Sequence, residues 1–253
     1  MCGFAGFSDY QQGFQGPPQR WLDLARRMAG RIAHRGPDAQ GAHFSPQCVL
    51  AHARLAVIDP EHGHQPMSLP WQGATATIAY NGEIYNAPEL RQDLESKGFT
   101  FSTSCDTEVV LAAYLAYGPD CAEKLNGIFA FAIDDPIHRR TFLCRDRFGV
   151  KPLFYTVQEG RLAFGSEIKA LLEFPGVRPV VGKEGLQEIF GLGPARTPGC
   201  GVFQGIHEVK PGHVAVFDQL GFREIPTSTW KPSPTRKHTR KRLPICGNFC
   251  WTP

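Results

Sequence analysis

The sequence predicts an α+β fold in which β-sheets pack on each other and helices lie outside them. Strand patterns come in blocks, as at 127–165, where short apolar runs are separated by turn residues. Several of these runs are apolar on both faces, which is typical of strands buried between layers. The helix patterns stand between the blocks and do not alternate with single strands. This order disfavours an alternating β/α barrel.

The N-terminal half of the chain carries strand and helix patterns in turn. Strands are predicted at 2–7, 48–58 and 74–80. Helices are predicted at 19–33, at 87–97, and onward from a cap at Asp106 or Thr107, because apolar residues recur there at helical spacing. The strand at 74–80 runs into Asn81-Gly82, which is a tight-turn signature. Asn81 and Gly82 are therefore expected to lie in a turn.

The C-terminal half predicts a series of short strands, two helices and a closing hairpin. The strands are predicted at 127–133, 141–146, 153–157 and 161–165, the helices at 166–174 and 183–191, and the hairpin at 208–218. After about residue 226 the apolar periodicity ends and prolines accumulate. The sequence thus predicts one domain over 2–225 and a basic, Pro-rich linker or disordered tail over 226–253.

Composition and charge exclude several classes of function. The 253 residues are 42% hydrophobic and 20% charged, which excludes wholesale disorder. No apolar run reaches the roughly 18 residues of a membrane span, and no secretory signal is evident, so a cytoplasmic protein is expected. The net charge is +3, but six Lys and Arg and no acidic residue lie in 226–253, which leaves 21 basic against 24 acidic residues in the body. We therefore expect neither nucleic acid nor a membrane as a partner.

Cys2 differs from the other cysteines by its position. Removal of Met1 would leave Cys2 with a free α-amine beside its own thiol. An α-amine titrates near pH 7.7–8.0, so a usable fraction is neutral at pH 7 and can accept the thiol proton. One residue would then supply both nucleophile and base. The alternative is an ordinary buried cysteine in an N-terminal strand.

Eight short motifs extend the argument from Cys2 to most of the chain. They are CGFAG (2–6), HRGPD (34–38), RLAVID (54–59), YNGEIYN (80–86), CDTEV (105–109), GIFAFAI (127–133), RDRFGVKPL (145–153) and GSEIKAL (165–171). In this order and spacing the chain resembles the class II glutamine amidotransferase domain of glutamine-hydrolysing asparagine synthetases. The resemblance covers about 2–225 and implies a four-layer αββα sandwich of the N-terminal-nucleophile hydrolase type.

The resemblance implies hydrolysis of L-glutamine to glutamate and ammonia through a γ-glutamyl thioester on Cys2. The amide oxygen becomes an anion in the tetrahedral intermediate, and the Asn81 side chain with the Gly82 backbone N–H would stabilise it. The family's substrate-binding positions fall on Arg54 for the carboxylate and on Asp106 and Glu83 for the ammonium. Backbone groups of Leu55, Val57 and Gly82 would complete the pocket, beside a loop shaped by 36–38.

Each of these residues also has a structural interpretation. Asn81-Gly82 is compatible with a plain hairpin turn, Asp106 with a helix cap only, and Arg54 and Glu83 with solvated positions. A Cys-His pair using His52 or His62 is an alternative that the α-amine makes unnecessary. The corresponding alternatives for function are a degenerate, non-catalytic glutamine-binding or interaction module, and an amidotransferase domain that serves another ammonia acceptor.

Cofactors follow from the same interpretation. The glutaminase reaction needs none, and no metal site is predicted. ATP and Mg²⁺ belong to the family's synthetase half, whose glycine- and serine-rich pyrophosphate loop does not occur in these 253 residues. Glutaminase activity without ATP-dependent asparagine formation is therefore expected from this chain alone. A separate synthetase subunit or a homodimer is left open as the partner.

Overall fold

Two antiparallel sheets, each with six strands among the described residues, pack face to face in the computed structural model, which describes 1–57, 59, 61–193 and 195–227. The first sheet contains β1 (Gly3–Ser8), β2 (Ala39–Phe44), β3 (Cys48–Arg54), β8 (Phe154–Gln158), β9 (Arg161–Gly165) and β10 (His207–Glu208). The second contains β4 (Met67–Trp71), β5 (Ala74–Ile84), β6 (Gly127–Asp135), β7 (Arg140–Arg145), β11 (His213–Asp218) and β12 (Gly221–Pro226). Their strand orders are β10-β8-β9-β1-β3-β2 and β12-β11-β7-β6-β5-β4.

Helices cover the outer faces of both sheets. They are α1 (Pro18–Gly30), α2 (Ala87–Ser96), α3 (Asp106–Tyr117), α4 (Cys121–Lys124), α5 (Ile168–Leu171) and α6 (Lys183–Gln187), with a π-helical turn at Glu188–Leu192. The helix α1 packs on the first sheet, and α3 packs on β4 and β5 of the second. Within the described residues, no helix is both long and apolar enough to cross a bilayer.

The core is divided into three layers by the alternation of side chains along the strands. Phe4 and Leu50 belong to a fully buried cluster between the two sheets. Val49, one residue along β3, points to the opposite face and packs with Met28 of α1. A third cluster lies between the second sheet and α3. The predicted four-layer αββα sandwich is thus confirmed, because period-2 strands with two apolar faces need a partner layer on each side.

The predicted turn at Asn81-Gly82 is wrong, because β5 continues through both residues to Ile84. Asn81 pairs with Ala130 and Gly82 with Phe129 of β6. A Cβ at Gly82 would lie 2.5 Å from the Ile128 carbonyl oxygen, so glycine is needed here for close packing of two strands.

The other differences concern helix ends and one hairpin. The helix predicted at 19–33 ends at Gly30, and the one predicted at 166–174 is reduced to α5, whereas the segment predicted at 183–191 is helical throughout, as α6 followed by the π-helical turn at Glu188–Leu192. The segment 208–218 is not a hairpin, because β10 pairs with β8 in the first sheet whereas β11 pairs with β7 and β12 in the second. The predicted tail lies outside the described residues from 228 onward.

Candidate active site

A cavity of about 280 Å³ opens where the two sheets and the start of α3 meet. Its walls contain every residue that the sequence singled out, namely Cys2, Arg54, Leu55, Val57, Asn81, Gly82, Glu83 and Asp106. They come from the N-terminus, the end of β3, the end of β5 and the first residue of α3. Segments far apart in sequence therefore share one small-molecule-sized space.

Strand alternation explains why these side chains converge. Phe4 of β1 and Leu50 of β3 point between the sheets, so Cys2 and Arg54, an even number of residues away, point the same way. Asn81 faces them from the second sheet, two residues after Ala79 in the same inter-sheet cluster. The nucleophile candidate and the amide candidate thus belong to opposite sheets.

The Cys2 thiol is held by the backbone of Leu55. Cys2 Sγ lies 3.3 Å from the Leu55 nitrogen and 3.4 Å from its carbonyl oxygen. Arg35 Nε donates to the Cys2 carbonyl oxygen at 2.9 Å, and the Asp38 carboxylate accepts the N–H of Ala56 at 2.8 Å. The HRGPD loop therefore fixes Cys2 and the segment that contacts its thiol.

Met1 lies at the same cavity. It is 62% exposed, and its Sδ is 3.2 Å from Lys151 Nζ. A thioether is only a weak acceptor. Lys151 itself is 7% exposed, so the cavity wall holds a nearly buried ammonium beside the N-terminal residue.

Asn81 and Gly82 line the cavity at the end of β5. Asn81 is 2% exposed, and its Nδ2 has no hydrogen-bond partner among the described residues. The N–H of Tyr80 bonds to Gln65 Oε1 and that of Ile84 to Asp106 Oδ2, both on the side away from β6. Because alternate residues of a strand direct their N–H groups to the same side, the Gly82 N–H points the same way.

Asp106 is the first residue of α3, and its side chain does not cap the helix. Instead its Oδ2 accepts the Tyr80 hydroxyl at 2.7 Å and the Ile84 N–H at 3.1 Å. Burial raises the pKa of the Asp106 carboxyl, and these hydrogen bonds oppose the rise. The predicted cap is therefore wrong, and the carboxyl is fixed in the cavity wall by the second sheet. Glu83 is exposed at the same cavity.

Arg54 is 5% exposed at the end of β3. Its Nη2 donates to the Asp59 carbonyl oxygen at 2.6 Å. A Cβ at Gly63 would come within 2.5 Å of the same nitrogen, so glycine makes room for the guanidinium. The Asp59 carboxylate accepts hydrogen bonds from Ser104 and His62, which lower its pKa to about 2. The loop that contacts the guanidinium is thus tied to the segment preceding α3.

Neither histidine of the alternative Cys-His pair bonds to Cys2. His62 Nδ1 lies 3.0 Å from Asp59 Oδ1. His52 is fully buried and its Nε2 lies 2.9 Å from the Tyr80 carbonyl oxygen. The thiol contacts given by the structure are those to Leu55.

Sequence reasoning missed some of the cavity walls, notably Gln65, Cys105 and Lys151. Burial raises the pKa of the Cys105 thiol. Lys151 belongs to the RDRFGVKPL motif, which carries the family resemblance but supplied none of the site residues expected from the sequence. The motif was the available signal, but the direction of a loop side chain depends on contacts with other elements.

Comparison with known proteins identifies the family to which the chain belongs. The sequence profile of the glutamine amidotransferase domain matches residues 1–230. The chain is 45% identical over 221 residues to asparagine synthetase [glutamine-hydrolyzing] 3 of Bacillus subtilis (strain 168), covering 87% of this chain and 35% of that protein. It is 42% identical over 172 residues to asparagine synthetase [glutamine-hydrolyzing] 1 of the same organism, covering 68% of this chain and 27% of that protein. The chain thus spans about a third or less of these relatives.

A solved structure supports the fold independently. Glutamine phosphoribosylpyrophosphate (PRPP) amidotransferase from B. subtilis, complexed with ADP and GMP, superposes with a TM-score of 0.63 at 19% identity, over 90% of this chain and 49% of that chain. At this identity the likeness concerns the fold alone.

Proposed function

Because the chain belongs to the glutamine amidotransferase domain family and is homologous to asparagine synthetases, we propose that it hydrolyses L-glutamine to glutamate and ammonia through a γ-glutamyl thioester on Cys2. The observation that carries the proposal is the buried Asn81 side chain, which belongs to a residue lining the same cavity as Cys2 and whose Nδ2 has no hydrogen-bond partner among the described residues. A buried donor without a partner is costly to a fold unless a ligand uses it.

The nucleophile requires removal of Met1. Once Cys2 is the first residue, its neutral α-amine accepts the thiol proton, and the sulfur attacks the side-chain amide carbon of glutamine. The protonated amine then donates to the departing nitrogen, which leaves as ammonia. Water attacks the resulting thioester, releases glutamate and regenerates the thiol. The Leu55 N–H, with its nitrogen 3.3 Å from Cys2 Sγ, positions the sulfur for its attack on the amide carbon.

The oxyanion forms in both attacks, since each converts a planar carbonyl into a tetrahedral centre. Asn81 Nδ2 and the Gly82 N–H are the proposed donors. Both belong to β5, a strand of 11 residues that is paired with β6 from Thr77 to Ile84. Donors on such a strand reorganise little when charge develops, which is why they stabilise the transition state more than the substrate.

The α-carboxylate and the α-ammonium of glutamine share one carbon atom, and side chains of both charges line the cavity. The Arg54 guanidinium is the proposed partner of the α-carboxylate, and the carboxyls of Asp106 and Glu83 are the proposed partners of the α-ammonium. Burial raises the pKa of the Asp106 carboxyl, and an arriving ammonium opposes that rise by favouring the charged form. Ionised Asp106 and bound glutamine therefore stabilise each other.

The names of the related proteins suggest the pathway that uses the ammonia. Two of them are named asparagine synthetases, so we place this domain in asparagine biosynthesis. We expect the 253-residue chain to release glutamate from glutamine, and to form no asparagine when aspartate and Mg-ATP are added. Stoichiometric asparagine and pyrophosphate from this chain would contradict that division of labour.

The test of the function compares two thiols of one cavity. Cys2→Ala should abolish glutamate release, because it removes the atom that forms the thioester. Cys105→Ala is the matched control and should keep the activity, since the Cys105 thiol lines the cavity without contacting Leu55. Glutamate is measured by a coupled dehydrogenase assay, and intact mass confirms loss of Met1 in each preparation.

The same experiment separates the alternative functions. Glutamine binding without turnover in a preparation that has lost Met1 would indicate a non-catalytic glutamine-binding module. Equal glutamate release by the parent and Cys2→Ala would remove Cys2 from the mechanism.

A further inference from the structure

The ladder between β4 and β5 ends just before the proposed oxyanion donors. β4 pairs with β5 from Trp71 opposite Ala74 to Met67 opposite Ile78. Tyr80 is the next residue of β5 whose N–H and C=O point away from β6, and side chains take the place of a strand there. Gln65 Oε1 accepts the Tyr80 N–H at 2.7 Å.

His52 is the second side chain that takes the place of β4 as a hydrogen-bond partner of Tyr80. Its Nε2 lies 2.9 Å from the Tyr80 carbonyl oxygen. A carbonyl only accepts, so Nε2 carries the proton and donates. His52 is fully buried in β3, and burial together with the nearby Arg54 charge lowers its pKa to about 4. The neutral ring therefore ties the first sheet to the edge of the second.

Gln65 extends the same support to the helix. Its Nε2 donates to Thr107 Oγ1 at 3.3 Å, in the first turn of α3. Its main chain turns toward β2, where a Cβ at Gly41 would lie only 2.1 Å from the Gln65 carbonyl oxygen. The Gln65 side chain thus reaches Tyr80 and links it to helix α3, which carries Asp106.

We propose that His52 is a positioning residue that orients the Asn81 amide and the Gly82 N–H through its hydrogen bond to the Tyr80 carbonyl. That carbonyl belongs to the planar peptide group that ends at the Asn81 nitrogen, so fixing the oxygen fixes the orientation of the whole peptide. Oxyanion donors must be held to about 0.5 Å to be effective. This inference rests on the proposed function.

The assignment also gives His52 a role other than the Cys-His pair considered from the sequence. The proton on Nε2 is used on Tyr80, and Cys2 Sγ contacts Leu55. Loss of a base would change the reactivity of the thiol itself. Loss of a positioning residue would leave the thiol reactive and impair only reactions that place a carbonyl oxygen at the Asn81 and Gly82 donors.

The experiment uses that difference. His52→Met removes the donor at similar length, and His52→Gln keeps an N–H donor. For each variant, kcat and KM for glutamine are measured. The rates at which two reagents modify Cys2 are measured as well. One reagent is 6-diazo-5-oxo-L-norleucine, whose ketone oxygen takes the place of the amide oxygen. The other is iodoacetamide, which reports thiol reactivity. His138→Met, at a side chain 60% exposed and outside the cavity, is the control.

We expect His52→Met to lower kcat about 10- to 100-fold, with KM within about threefold, because a small misplacement of catalytic groups costs rates of this size. Inactivation by the diazo ketone should slow in parallel, iodoacetamide should react as with the parent, and His52→Gln should recover most of kcat. The inference would be overturned by unchanged kcat in folded His52→Met, or by iodoacetamide slowing as much as the diazo ketone does. Glutamate release by the parent protein would still support the proposed function in either case.

A second variant covers failure of His52→Met to fold. Gln65→Met removes the acceptor of the Tyr80 N–H on the same edge. The same selective loss of kcat and of diazo ketone inactivation supports the inference, and parent-like values overturn it. If the parent with Met1 removed releases no glutamate, the proposed function and this inference both fail.

Discussion

Two polar segments stand out in the sequence, RDRFGVK at 145–151 and YNGEI at 80–84. They differ in how many of their buried hydrogen-bonding groups have partners in the folded chain. In the first, Asp146 accepts four backbone N–H groups, from Phe129, Phe148, Val150 and Lys151, at 2.9 to 3.3 Å. Arg145 donates to the carbonyls of Lys151, Gly149 and Val209 at 2.6 to 2.9 Å. The buried carboxylate of Asp146 and the guanidinium of Arg145 are thus satisfied by the backbone of this loop and its neighbours.

In the second segment, only some of the hydrogen-bonding groups on the side of β5 away from β6 have partners. Tyr80 and Ile84 have side-chain partners, but the Gly82 N–H points toward the cavity and Asn81 Nδ2 has no partner among the described residues. Saturated polar groups stabilise a conformation, whereas unsaturated ones facing a cavity are available for a ligand. The difference supports a packing role for Arg145 and Asp146 and the catalytic role proposed for Asn81 and Gly82, and it predicts how each segment responds to mutation.

The largest effect is expected at Asn81. Asn81→Ala should lower kcat about 100- to 1,000-fold, which is the cost of one oxyanion donor. The free energy of unfolding should stay the same or rise, because the variant removes a buried amide nitrogen that lacks a partner. Steady-state kinetics and urea denaturation measure the two quantities.

The control for Asn81 is another asparagine of the same sheet region. Asn86 donates to the Lys124 carbonyl at 2.9 Å and accepts the Asn126 N–H at 2.9 Å, so it is a saturated amide. Asn86→Ala should reduce stability and leave kcat near the parent value. If Asn81→Ala instead lost stability and kept kcat, the unsaturated edge would be a packing feature.

An intermediate effect is expected at Arg54. Arg54→Ala should lower kcat/KM by about 10- to 150-fold, through the loss of roughly 1.5–3 kcal/mol of charge-assisted hydrogen bonding to the substrate carboxylate. Arg54→Lys should recover only part of it, since an ammonium cannot form the bidentate pair. Initial rates over a range of glutamine concentrations give kcat/KM.

Arg161 provides the matched comparison for Arg54. It pairs with Asp9 at 3.0 Å outside the cavity, and its side chain is 36% exposed. Arg161→Ala should therefore leave kcat/KM close to that of the parent. A loss at Arg161 as large as that at Arg54 would show that the arginine effect is not specific to the cavity.

The smallest catalytic effect is expected from the saturated loop. Asp146→Asn replaces one acceptor oxygen by an NH₂ group, so two of the four backbone N–H groups lose their partner. We expect the free energy of unfolding to fall by about 2–4 kcal/mol, at about 1–2 kcal/mol for each buried N–H left unpaired. The kcat per folded molecule should remain near the parent value.

Asp218→Asn is the control for that loop, because its partner Arg223 is partly exposed and such pairs contribute about 0–1 kcal/mol. Denaturation curves of the two variants give the comparison. A selective loss of kcat in Asp146→Asn, without loss of stability, would move the 145–151 loop from packing to catalysis.

The sequence by itself determined the layered α+β architecture and eight of the residues that line the cavity. Buried strands with two apolar faces require layers on both sides, and this pattern is local enough to be seen at 127–133 or 141–146. The type and order of the polar residues from Cys2 to Asp106 carry the family resemblance, because the hydrolysis proposed for them depends on residue types more than on their exact packing. The strand pattern predicted packed sheets with helices outside, and the family resemblance implied the four-layer αββα arrangement and the eight site residues, all of which line one cavity.

Only the tertiary structure decided how Asn81, Asp106 and His52 are used. Asn81-Gly82 has the local signature of a turn, but pairing with β6 holds it in a strand. Asp106 has the local signature of a cap, but the hydroxyl of Tyr80 and the N–H of Ile84 take its carboxylate. His52 meets the Tyr80 carbonyl only because two sheets stack. Strand pairing and stacking join residues that are distant in sequence, and their energies outweigh the preferences of two or three adjacent residues.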